Sequence, residues 1–594
     1  MIRDSGESHP LPAYGRRLIA STIDSLAKDS PERTYASVPV SDEDLTRGFR
    51  DITYAQLAAA VDRTAYWLDT HLPSHPPPTN NVVDTENGTH QNDGAREKVQ
   101  TFAYYGPRDL RYILIVVAAM KTGRRVLMTS LLGSLEAQVY MAKKMGCLVF
   151  LYAVGGPDVV PSHVRIIPES VDGSVSISVP EFSDLFCLDN DHNSSKPYPY
   201  HKTWEEAHLD EVAIYHTSGS SGFPKLIPQT NEMLARIDSW NLLEDVNGMT
   251  TSREYYASKR LYIALPIFHL AGTLITLPCA LFLHTIPVLG PATLPPSPPL
   301  FTRIHAHASP PLTGLFAPPS LLEDLVRHHD AAPLASLSTL IFAGAPLAPA
   351  AGNALAPLGS LCTCVGSTEG SYWPLLRPRR AADWPYVAPH PAMAAVFEPR
   401  ADGLCELVVV RTPASEACTN FFCGEGAGGR EVWRTRDLWE GHPEGGGLWR
   451  YRGRVDDLVV LSGEVKMYAG AVEERVGGRG AVRAALVGGD GRRVPFLLVE
   501  GVDGEEGEED DEKRERRVLE EVWPYVEEAN EDVGPKTKLR RGLMLVARRD
   551  KPFARTAKGS VDRRNTFRVY EKEVDALYEK FYADGGEEVN SSEL

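Results

Sequence analysis

Segments with strand-like and helix-like patterns alternate in the first third of the chain. Thr101–Gly106 is a short apolar run typical of a strand, and Asp109–Gly123 has a longer apolar pattern that ends at a glycine, as helices do. A strand-like run at 124–130 follows, then a helix-like run at 134–146 and an apolar run at 147–152. Such alternation predicts a parallel sheet covered by helices.

Short strands separated by glycine turns are typical of the last third of the chain. Cys405–Val410 and Asp456–Leu461 are apolar runs of this kind. We therefore predict an α/β protein that ends in a smaller α+β unit.

Two segments poor in large apolar side chains interrupt this pattern. Pro73–Glu97 is polar and rich in proline, which predicts a disordered insertion on the surface. Pro291–Leu300 is also rich in proline and is predicted to be a connector without regular structure.

The composition allows a sizeable core and excludes several functions. Hydrophobic residues make up 43% and charged residues 24% of the 594 residues. The formal net charge of −17 argues against a nucleic-acid-binding protein, because phosphate contacts need a basic surface. The apolar stretch Tyr112–Met120 is much shorter than the ~20 residues that span a bilayer, and the eight cysteines are scattered. We expect a cytoplasmic protein without stable membrane insertion.

The segment from Tyr215 to Thr230 carries the most specific chemistry. A short apolar run leads into a loop rich in glycine and hydroxyl groups, which closes with a Pro-Lys pair. Glycines let backbone N–H groups converge on an anion, and the lysine adds positive charge. The pattern predicts a phosphate-binding loop rather than a flexible linker, although it lacks the GxxxxGK[ST] sequence of P-loop enzymes. The candidate phosphate ligands are Thr217, Ser218, Gly219, Ser220, Ser221, Gly222 and Lys225.

The loop sequence TSGSSGFPK resembles the phosphate-loop signature of the ANL superfamily of adenylate-forming enzymes. That superfamily contains acyl-CoA synthetases, luciferases and the adenylation domains of nonribosomal peptide synthetases (NRPS). Six further resemblances follow in the order of the superfamily: PIFHLAG (266–272), IFAGAPL (341–347), GSTEG (366–370), TRDLW (435–439), YRGRVDD (451–457) and PFARTAKGSVDRR (552–564). The segments around the last two motifs particularly resemble the adenylation domain of fungal NRPS-like enzymes.

The resemblance implies ATP and Mg²⁺ as cofactors and assigns the reacting groups. Lys558 would bridge the acyl carboxylate and the α-phosphate, where it would neutralise developing charge. Thr368 would bind the α-phosphate. Glu369 would bind Mg²⁺ together with Thr217, because Mg²⁺ is commonly held by one carboxylate plus substrate phosphates. His269 would line or gate the acyl pocket, with a structural role as the alternative for a lone histidine.

The resemblance also assigns residues to the nucleoside and to the hinge. Asp437 would accept hydrogen bonds from both ribose hydroxyls, which two carboxylate oxygens allow. Arg454 would contact the ribose or a phosphate, and Asp456 would be the hinge about which the C-terminal domain rotates. The resemblance therefore implies a large N-terminal α/β portion of several subdomains, residues 1–455, and a smaller, mobile C-terminal α+β domain, residues 456–594, that carries Lys558. The remaining nucleotide-binding positions are Gly344, Ala345, Pro346, Val365, Gly366 and Ser367.

Three positions depart from the pattern of the superfamily. Val365 replaces an aromatic residue that would stack on adenine, so that contact is either lost or supplied elsewhere. Arg436 replaces a glycine that many members have, and Ala557 precedes the lysine; neither change removes a functional group. His269 stands where amino-acid-activating domains have an aspartate for the substrate ammonium group. An uncompensated ammonium in an apolar pocket is costly, so we expect an aryl, α-keto or other non-amino carboxylic acid.

These assignments predict that the chain activates a carboxylic acid to an acyl-AMP and releases pyrophosphate. Transfer to a thiol would follow, with the phosphopantetheine of a carrier protein as the first candidate acceptor and free CoA as the second. The rival hypothesis is a catalytically inactive scaffold that retains the adenylation fold. The motif residues favour the enzyme, and Val365 is the one position that favours the scaffold.

Overall fold

A computed structural model describes most of the chain. The described residues are 14–72, 99–129, 135–153, 166–188, 196–217, 224–327, 332–400, 403–423, 429–455, 458–462, 466–477, 481–502, 510–531, 533, 535–555 and 561–585. The segment predicted to be a disordered insertion, Pro73–Glu97, lies outside them. In the described part of the chain, no helix is both long enough and apolar enough to cross a bilayer.

The described elements alternate between helices and strands. The α-helices are α1 Ile19–Asp29, α2 Tyr54–His71, α3 Arg111–Lys121, α4 Leu135–Lys144, α5 Phe182–Phe186, α6 Trp204–Ala207, α7 Asn231–Ala235, α8 Leu270–Thr276, α9 Pro278–Phe282, α10 Pro298–His307, α11 Pro319–Arg327, α12 Pro349–Leu355, α13 Pro413–Cys418, α14 Ala469–Val476, α15 Asp511–Glu531, α16 Arg563–Val569 and α17 Glu571–Ala583.

The strands are short, as the sequence pattern predicts. They are β1 Thr34–Pro39, β2 Phe49–Thr53, β3 Thr101–Tyr105, β4 Arg125–Met128, β5 Val149–Ala153, β6 Val175–Val179, β7 Glu211–Thr217, β8 Lys225–Thr230, β9 Arg260–Ile263, β10 Ile286–Val288, β11 Gly314–Ala317, β12 Thr339–Ala343, β13 Ser360–Cys364, β14 Gly366–Ser367, β15 Ser371–Tyr372, β16 Leu375–Leu376, β17 Tyr386–Pro389, β18 Ala395–Pro399, β19 Cys405–Val410, β20 Val432–Gly441, β21 Trp449–Arg454, β22 Leu458–Val460, β23 Lys466–Tyr468, β24 Val482–Gly488, β25 Phe496–Gly501 and β26 Met544–Val546.

The chain divides into two compact units. Unit 1 comprises Met1–Phe316, Val365–Pro374 and Arg411–Arg430, and unit 2 comprises Ala317–Cys364, Leu375–Val410 and Glu431–Leu594. Both units are built from non-contiguous stretches, so they do not coincide with the predicted domains. The boundary between residues 455 and 456 remains a prediction.

Unit 1 contains two sheets of mainly parallel strands. One has the order β6-β5-β3-β4-β7-β8, in which only the β7–β8 pair is antiparallel. In the other, β11, β9, β10 and β1 are parallel and β2 pairs antiparallel with β1. The predicted strand–helix–strand alternation is confirmed in β3, α3, β4, α4 and β5. Ala103, Leu127 and Ile214 of the first sheet belong to one buried cluster with Met141 of α4.

Unit 2 contains the antiparallel sheet β16-β17-β21-β20-β19-β18, the parallel pair β12–β13, the hairpin β22–β23 and the sheet β24-β25-β26. In the last part of the chain, Val472 of α14 and Val522 of α15 pack with Leu497 of β25 and Met544 of β26 in one core cluster. These elements have the mixed α and β character that was predicted there.

One predicted boundary was wrong. The proline-rich segment Pro291–Leu300 is not irregular throughout, because α10 begins at Pro298. Ser297 caps this helix by accepting a hydrogen bond from the N–H of Leu300 at 3.4 Å. Proline is well suited to the first helical position, since its fixed φ is helical and its missing N–H would have no partner there.

Candidate functional site

The antiparallel hairpin β7–β8 brackets the predicted phosphate loop. Its last register pair places Thr217 directly opposite Lys225. The two ends of the predicted loop are therefore adjacent, and each carries a side chain suited to a phosphate. The loop residues between them, Ser218, Gly219, Ser220, Ser221 and Gly222, lie outside the described residues, so their role as phosphate ligands remains a prediction.

The GSTEG motif forms a very tight hairpin. Gly366 pairs with Tyr372 and Ser367 pairs with Ser371, which leaves Thr368 and Glu369 in the turn between β14 and β15. A Cβ atom on Gly366 would lie 2.5 Å from the Ser371 carbonyl oxygen, so only glycine fits this close approach. Within the turn, the Gly370 N–H donates to Ser367 Oγ at 2.9 Å.

Strand β8 contacts this turn at two points. Lys225 Nζ lies 3.3 Å from Glu369 Oε1. The side chain of Gln229, which is fully buried, donates from Nε2 to the Thr368 carbonyl oxygen at 3.0 Å. The structure thus brings together the residues predicted to bind phosphate and metal. Thr217 lies opposite Lys225, and Thr368 and Glu369 contact β8.

Hydrogen bonds from β7 and β15 hold the predicted acyl-pocket segment. Tyr215 of β7 donates to Thr273 Oγ1 at 2.8 Å, and Thr273 donates to the Ile267 carbonyl oxygen at 2.7 Å. Burial raises the pKa of Tyr215, so its hydroxyl keeps the proton that it donates. Tyr372 of β15 donates to the Ala271 carbonyl oxygen at 2.5 Å.

His269 lies within this acyl segment, directly before α8. It is half-buried and occupies the N-cap position of the helix, but its side chain does not cap the helix N–H groups. The segment closes tightly on itself, because a Cβ atom on Gly272 would lie 2.0 Å from the Pro266 carbonyl oxygen. Glycine is therefore required for the segment to fold back on itself in this way.

The charge of His216, at the end of β7, bears on phosphate binding. Burial lowers the pKa of His216 to about 4, so this imidazole is neutral at neutral pH. His216 immediately precedes Thr217 and contributes no positive charge there. Lys225, whose side chain is 61% exposed, is the residue that brings charge to this end of the hairpin.

The described residues contain no group of three or more His, Cys, Asp or Glu side chains arranged for a metal ion. The carboxylate of Glu369 and the hydroxyl of Thr217 are nevertheless oxygen ligands of the kind that Mg²⁺ prefers. Mg²⁺ usually retains waters and substrate phosphate oxygens, so two protein ligands suffice. This donor set fits the implied metal.

The predicted adenine-side loop follows β12 in unit 2. Gly344 has φ +96°, a conformation that favours glycine, and Ala345 and Pro346 continue the loop. Glu323 of α11 accepts a hydrogen bond from the Ala348 N–H at 2.9 Å. Burial raises the pKa of the Glu323 carboxyl group. This half-buried acceptor holds the end of the loop.

Val365 and Gly366 were predicted to contact the nucleotide and belong to unit 1. Val365 is half-buried, and its carbonyl oxygen accepts a hydrogen bond from the Trp373 N–H at 3.0 Å. This bond extends the β14–β15 hairpin by one residue on each strand. Ser367 also stabilises the turn, because its hydroxyl accepts from Gly370.

The predicted ribose-binding residues lie on neighbouring strands of unit 2. Asp437 of β20 is directly opposite Arg454 of β21. Compared with β19, β20 has two extra residues between Arg434 and Leu438, which form a bulge. Within it, Arg436 has φ +62° and the Asp437 N–H donates to Thr435 Oγ1 at 3.1 Å. Bulges commonly re-aim a side chain next to a functional site.

Arg436 was predicted to replace glycine without removing a functional group, but the structure gives this position φ +62°, which favours glycine. A positive φ is unfavourable for residues with a Cβ atom. The predicted hinge Asp456 and the predicted catalytic Lys558 lie outside the described residues, and their roles remain predictions.

The motifs assign no role to three residues that contact the candidate site: Gln229, Tyr215 and Tyr372. One signal was present in the sequence of β8: Lys225, Ile227 and Gln229 alternate onto one face, and Ile227 is buried. A polar side chain at an inward position of a strand needs a partner, which marks Gln229 as unusual. Tyr215 precedes the phosphate-loop motif and Tyr372 follows the GSTEG motif, but neither tyrosine carries a comparable signal in the sequence.

Two family models match the chain. The model described as AMP-binding enzyme matches residues 92–392, and the model described as AMP-binding enzyme C-terminal domain matches residues 456–582.

Two curated fungal proteins are similar along nearly the whole chain. A carboxylic acid reductase from Neurospora crassa is 30% identical over 580 residues, which cover 96% of this chain and 51% of the reductase. An isocyanide synthase–NRPS hybrid from Aspergillus fumigatus is 28% identical over 593 residues, which cover 97% of this chain and 34% of the hybrid. The chain spans about half the length of the first relative and a third of the second.

Among solved structures, an anthranilate CoA ligase in complex with anthranoyl-AMP is similar to this chain. The TM-score is 0.66 at 14% sequence identity, over 95% of this chain and 99% of the ligase. At this identity the similarity concerns the fold. It confirms the predicted α/β class with a large N-terminal portion and a smaller C-terminal domain.

Proposed function

Because the chain belongs to the AMP-binding enzyme family, we propose that it uses ATP to activate a carboxylic acid as an acyl-AMP. In this reaction a carboxylate oxygen attacks the α-phosphorus of ATP, and pyrophosphate leaves. The observation that carries the proposal is the convergence of three motif segments in unit 1. Hydrogen bonds and one ion pair join the β7–β8 hairpin, the Glu369 turn and the acyl segment.

In this proposal the groups of unit 1 act on the phosphates. Thr217, the adjoining loop and Lys225 bind the triphosphate, and Thr368 binds the α-phosphate. Glu369 and Thr217 hold Mg²⁺, which supplies positive charge to the phosphate oxygens. Lys558, which belongs to unit 2, is proposed to neutralise the charge that develops at the α-phosphate as pyrophosphate leaves.

Other residues of unit 2 act on the nucleoside. Asp437 accepts hydrogen bonds from the ribose hydroxyls, and Arg454, its partner across β20 and β21, contacts the ribose or a phosphate. The loop at Gly344, Ala345 and Pro346 contacts the adenine. Strand register places Asp437 directly opposite Arg454, which supports a shared ligand.

The proposed acid is an aryl, α-keto or other acid without an α-amino group. His269 is half-buried at the start of α8, where an ammonium-binding carboxylate would be needed for an amino acid. The names of similar proteins support the class: a reductase of carboxylic acids and a ligase for an aromatic acid.

The proposed second step transfers the acyl group to a thiol. We favour the phosphopantetheine of a carrier protein, because of the resemblance to NRPS-like enzymes and the similarity to an NRPS hybrid. Free CoA is the alternative acceptor. Rotation of the C-terminal domain about Asp456 would move Lys558 away between the two steps, since a lysine over the α-phosphate would obstruct an approaching thiol.

The test is acid-dependent ATP–pyrophosphate exchange with a panel of benzoates, arylpyruvates, fatty acids and the proteinogenic amino acids. We expect exchange with at least one non-amino acid and none faster with an amino acid. Lys558→Ala should reduce that exchange by about 10²–10³. Absence of exchange with every acid would favour the inactive scaffold, and a preferred amino acid would refute the assignment made from His269.

A further inference from the structure

The turn that carries Thr368 and Glu369 is attached to β8 by two contacts of different chemistry. The outer contact is the ion pair of Glu369 with Lys225, whose side chain is 61% exposed. The inner contact is the hydrogen bond from Gln229, which is 0% exposed, to the carbonyl oxygen of Thr368. Lys225 and Gln229 are four residues apart, so alternation along the strand puts them on one face.

Of these two contacts, the inner one is the stronger. An exposed ion pair is screened by solvent and contributes little, whereas a buried polar group left without its partner is clearly destabilising. The Gln229 Oε1 atom has no hydrogen-bond partner in the described part of the chain. The polarity of this side chain therefore serves the bond to Thr368.

The two contacts also respond differently to the nucleotide. In the proposed function Lys225 binds a phosphate and Glu369 binds Mg²⁺, so each group of the ion pair takes a new partner. The Gln229 bond involves neither group and persists through the reaction. It holds the peptide between Thr368 and Glu369, and so determines where the hydroxyl and the carboxylate point.

We propose that Gln229 is a positioning residue for the ATP-dependent step. Its amide fixes the Thr368–Glu369 turn so that the side chains of both residues reach the α-phosphate and Mg²⁺. This inference rests on the proposed function and adds to it a residue that touches neither substrate nor metal.

The first test is Gln229→Met, which keeps the length of the side chain and removes the donor. We expect the kcat/KM for MgATP in pyrophosphate exchange to fall about tenfold, as a lost buried hydrogen bond of ~1.4 kcal/mol predicts. The KM for the acid should not change. Unchanged ATP kinetics would overturn the proposal.

Asn231→Leu is the matched control for a loss of stability alone. Asn231 is 1% exposed, lies two residues from Gln229 and donates from Nδ2 to the Ala207 carbonyl oxygen at 2.9 Å. Its Oδ1 atom also has no partner among the described residues. Both variants should lower Tm similarly, but only Gln229→Met should change the ATP kinetics. Equal kinetic effects would reduce Gln229 to a structural role and refute the proposal.

A second variant, Gln229→Glu, adds a pH signature. A neutral carboxyl group can donate to the Thr368 carbonyl oxygen, whereas an ionised one cannot and repels it. Burial raises the pKa of a carboxyl group, so the neutral form should persist at mildly acidic pH. The activity of the variant relative to the native enzyme should therefore fall as the pH rises. A constant ratio across pH would contradict the proposed contact.

Calorimetric titration with MgATP separates this inference from the proposed function. If the native protein binds MgATP but shows no exchange, the enzyme proposal fails while the role of Gln229 is still testable. Gln229→Met should then weaken MgATP binding about tenfold, and Asn231→Leu should not. Equal binding by the native protein and Gln229→Met, or no binding of MgATP by the native protein, would overturn the inference.

Discussion

The phosphate-side residues of unit 1 and the ribose-side residues of unit 2 are positioned in different ways. In unit 1, Gln229 and Thr368 are separated by 139 residues and meet through a buried side-chain hydrogen bond. In unit 2, Asp437 and Arg454 face each other because β20 and β21 are neighbouring strands in register. A long-range side-chain contact thus links two motif segments in unit 1, and backbone pairing places two motif residues opposite each other in unit 2.

The difference corresponds to what each group is proposed to do. Charge develops on the α-phosphate during the reaction, and only donors and cations fixed in advance stabilise it more than they stabilise the substrate. The ribose hydroxyls do not change, so Asp437 would bind ATP equally in the ground and transition states. Loss of the Glu369 carboxylate should therefore lower kcat, whereas substitution of Asp437 should raise KM.

The sharpest test of this contrast is Glu369→Gln. Loss of the carboxylate removes the proposed Mg²⁺ ligand, and we expect pyrophosphate exchange to fall by about 10²–10³. Glu254→Gln is the control, because Glu254 also forms an exposed ion pair in unit 1, with Arg253 at 2.9 Å. The control should retain full activity. Exchange within threefold of the native rate in Glu369→Gln would remove the metal role from unit 1.

Acid should lower the free energy of unfolding through His216. Burial lowers the pKa of His216 to about 4 in the folded chain, against about 6.5 when unfolded. Between these values the unfolded chain takes up a proton that the folded chain does not. The stability is therefore complete above pH 6.5 and falls as the pH drops towards 4, by up to about 1.4 kcal/mol per pH unit.

Urea denaturation at pH 7, 6, 5 and 4.5 measures this loss. His216→Phe cannot take up the proton, so its free energy of unfolding should decline less steeply with acid than that of the native chain. The difference between the two chains cancels the other titrating groups. Parallel pH profiles would show that His216 is not neutralised by its surroundings.

The sequence alone predicted the local elements better than the contacts between them. The alternating apolar runs predicted β3, α3, β4, α4 and β5, because burial on a sheet or helix face leaves a periodic pattern. Pro298 misled the prediction at α10, since a proline is compatible with both a connector and the first turn of a helix.

The candidate site shows the same limit. The motifs identified Thr368, Glu369 and Asp437, because each carries chemistry that a short pattern can specify. They did not identify Gln229 or Tyr215, whose importance comes from a partner far away in the sequence. Finding such residues requires the topology that brings β8 next to the β14–β15 hairpin.

In unit 2, Asp437→Asn tests whether the ribose contact acts on binding alone. An amide keeps one acceptor and loses the charge, so we expect the KM for ATP to rise about tenfold with kcat within a few-fold of native. Steady-state pyrophosphate exchange over a range of ATP concentrations gives both constants. A large loss of kcat at unchanged KM would show that both regions act on the transition state, and the contrast between them would fail.

The smallest effect is expected at the neighbouring position, where Arg436→Gly tests whether strand register alone positions Asp437. Arg436 is exposed and has φ +62°, a conformation that costs a residue with a Cβ atom about 1–2 kcal/mol relative to glycine. Glycine is also more flexible when unfolded, so the net gain in the free energy of unfolding should be about 0.5–1 kcal/mol. The control is Arg434→Gly in the same strand. Arg434 has no positive φ and forms an ion pair with Glu398, so its replacement by glycine should instead destabilise the chain.

The KM for ATP should not change in Arg436→Gly if the bulge and the pairing with β21 hold Asp437 in place. A raised KM would mean that the guanidinium of Arg436 itself helps to bind the nucleotide, and that unit 2, like unit 1, depends on side-chain contacts.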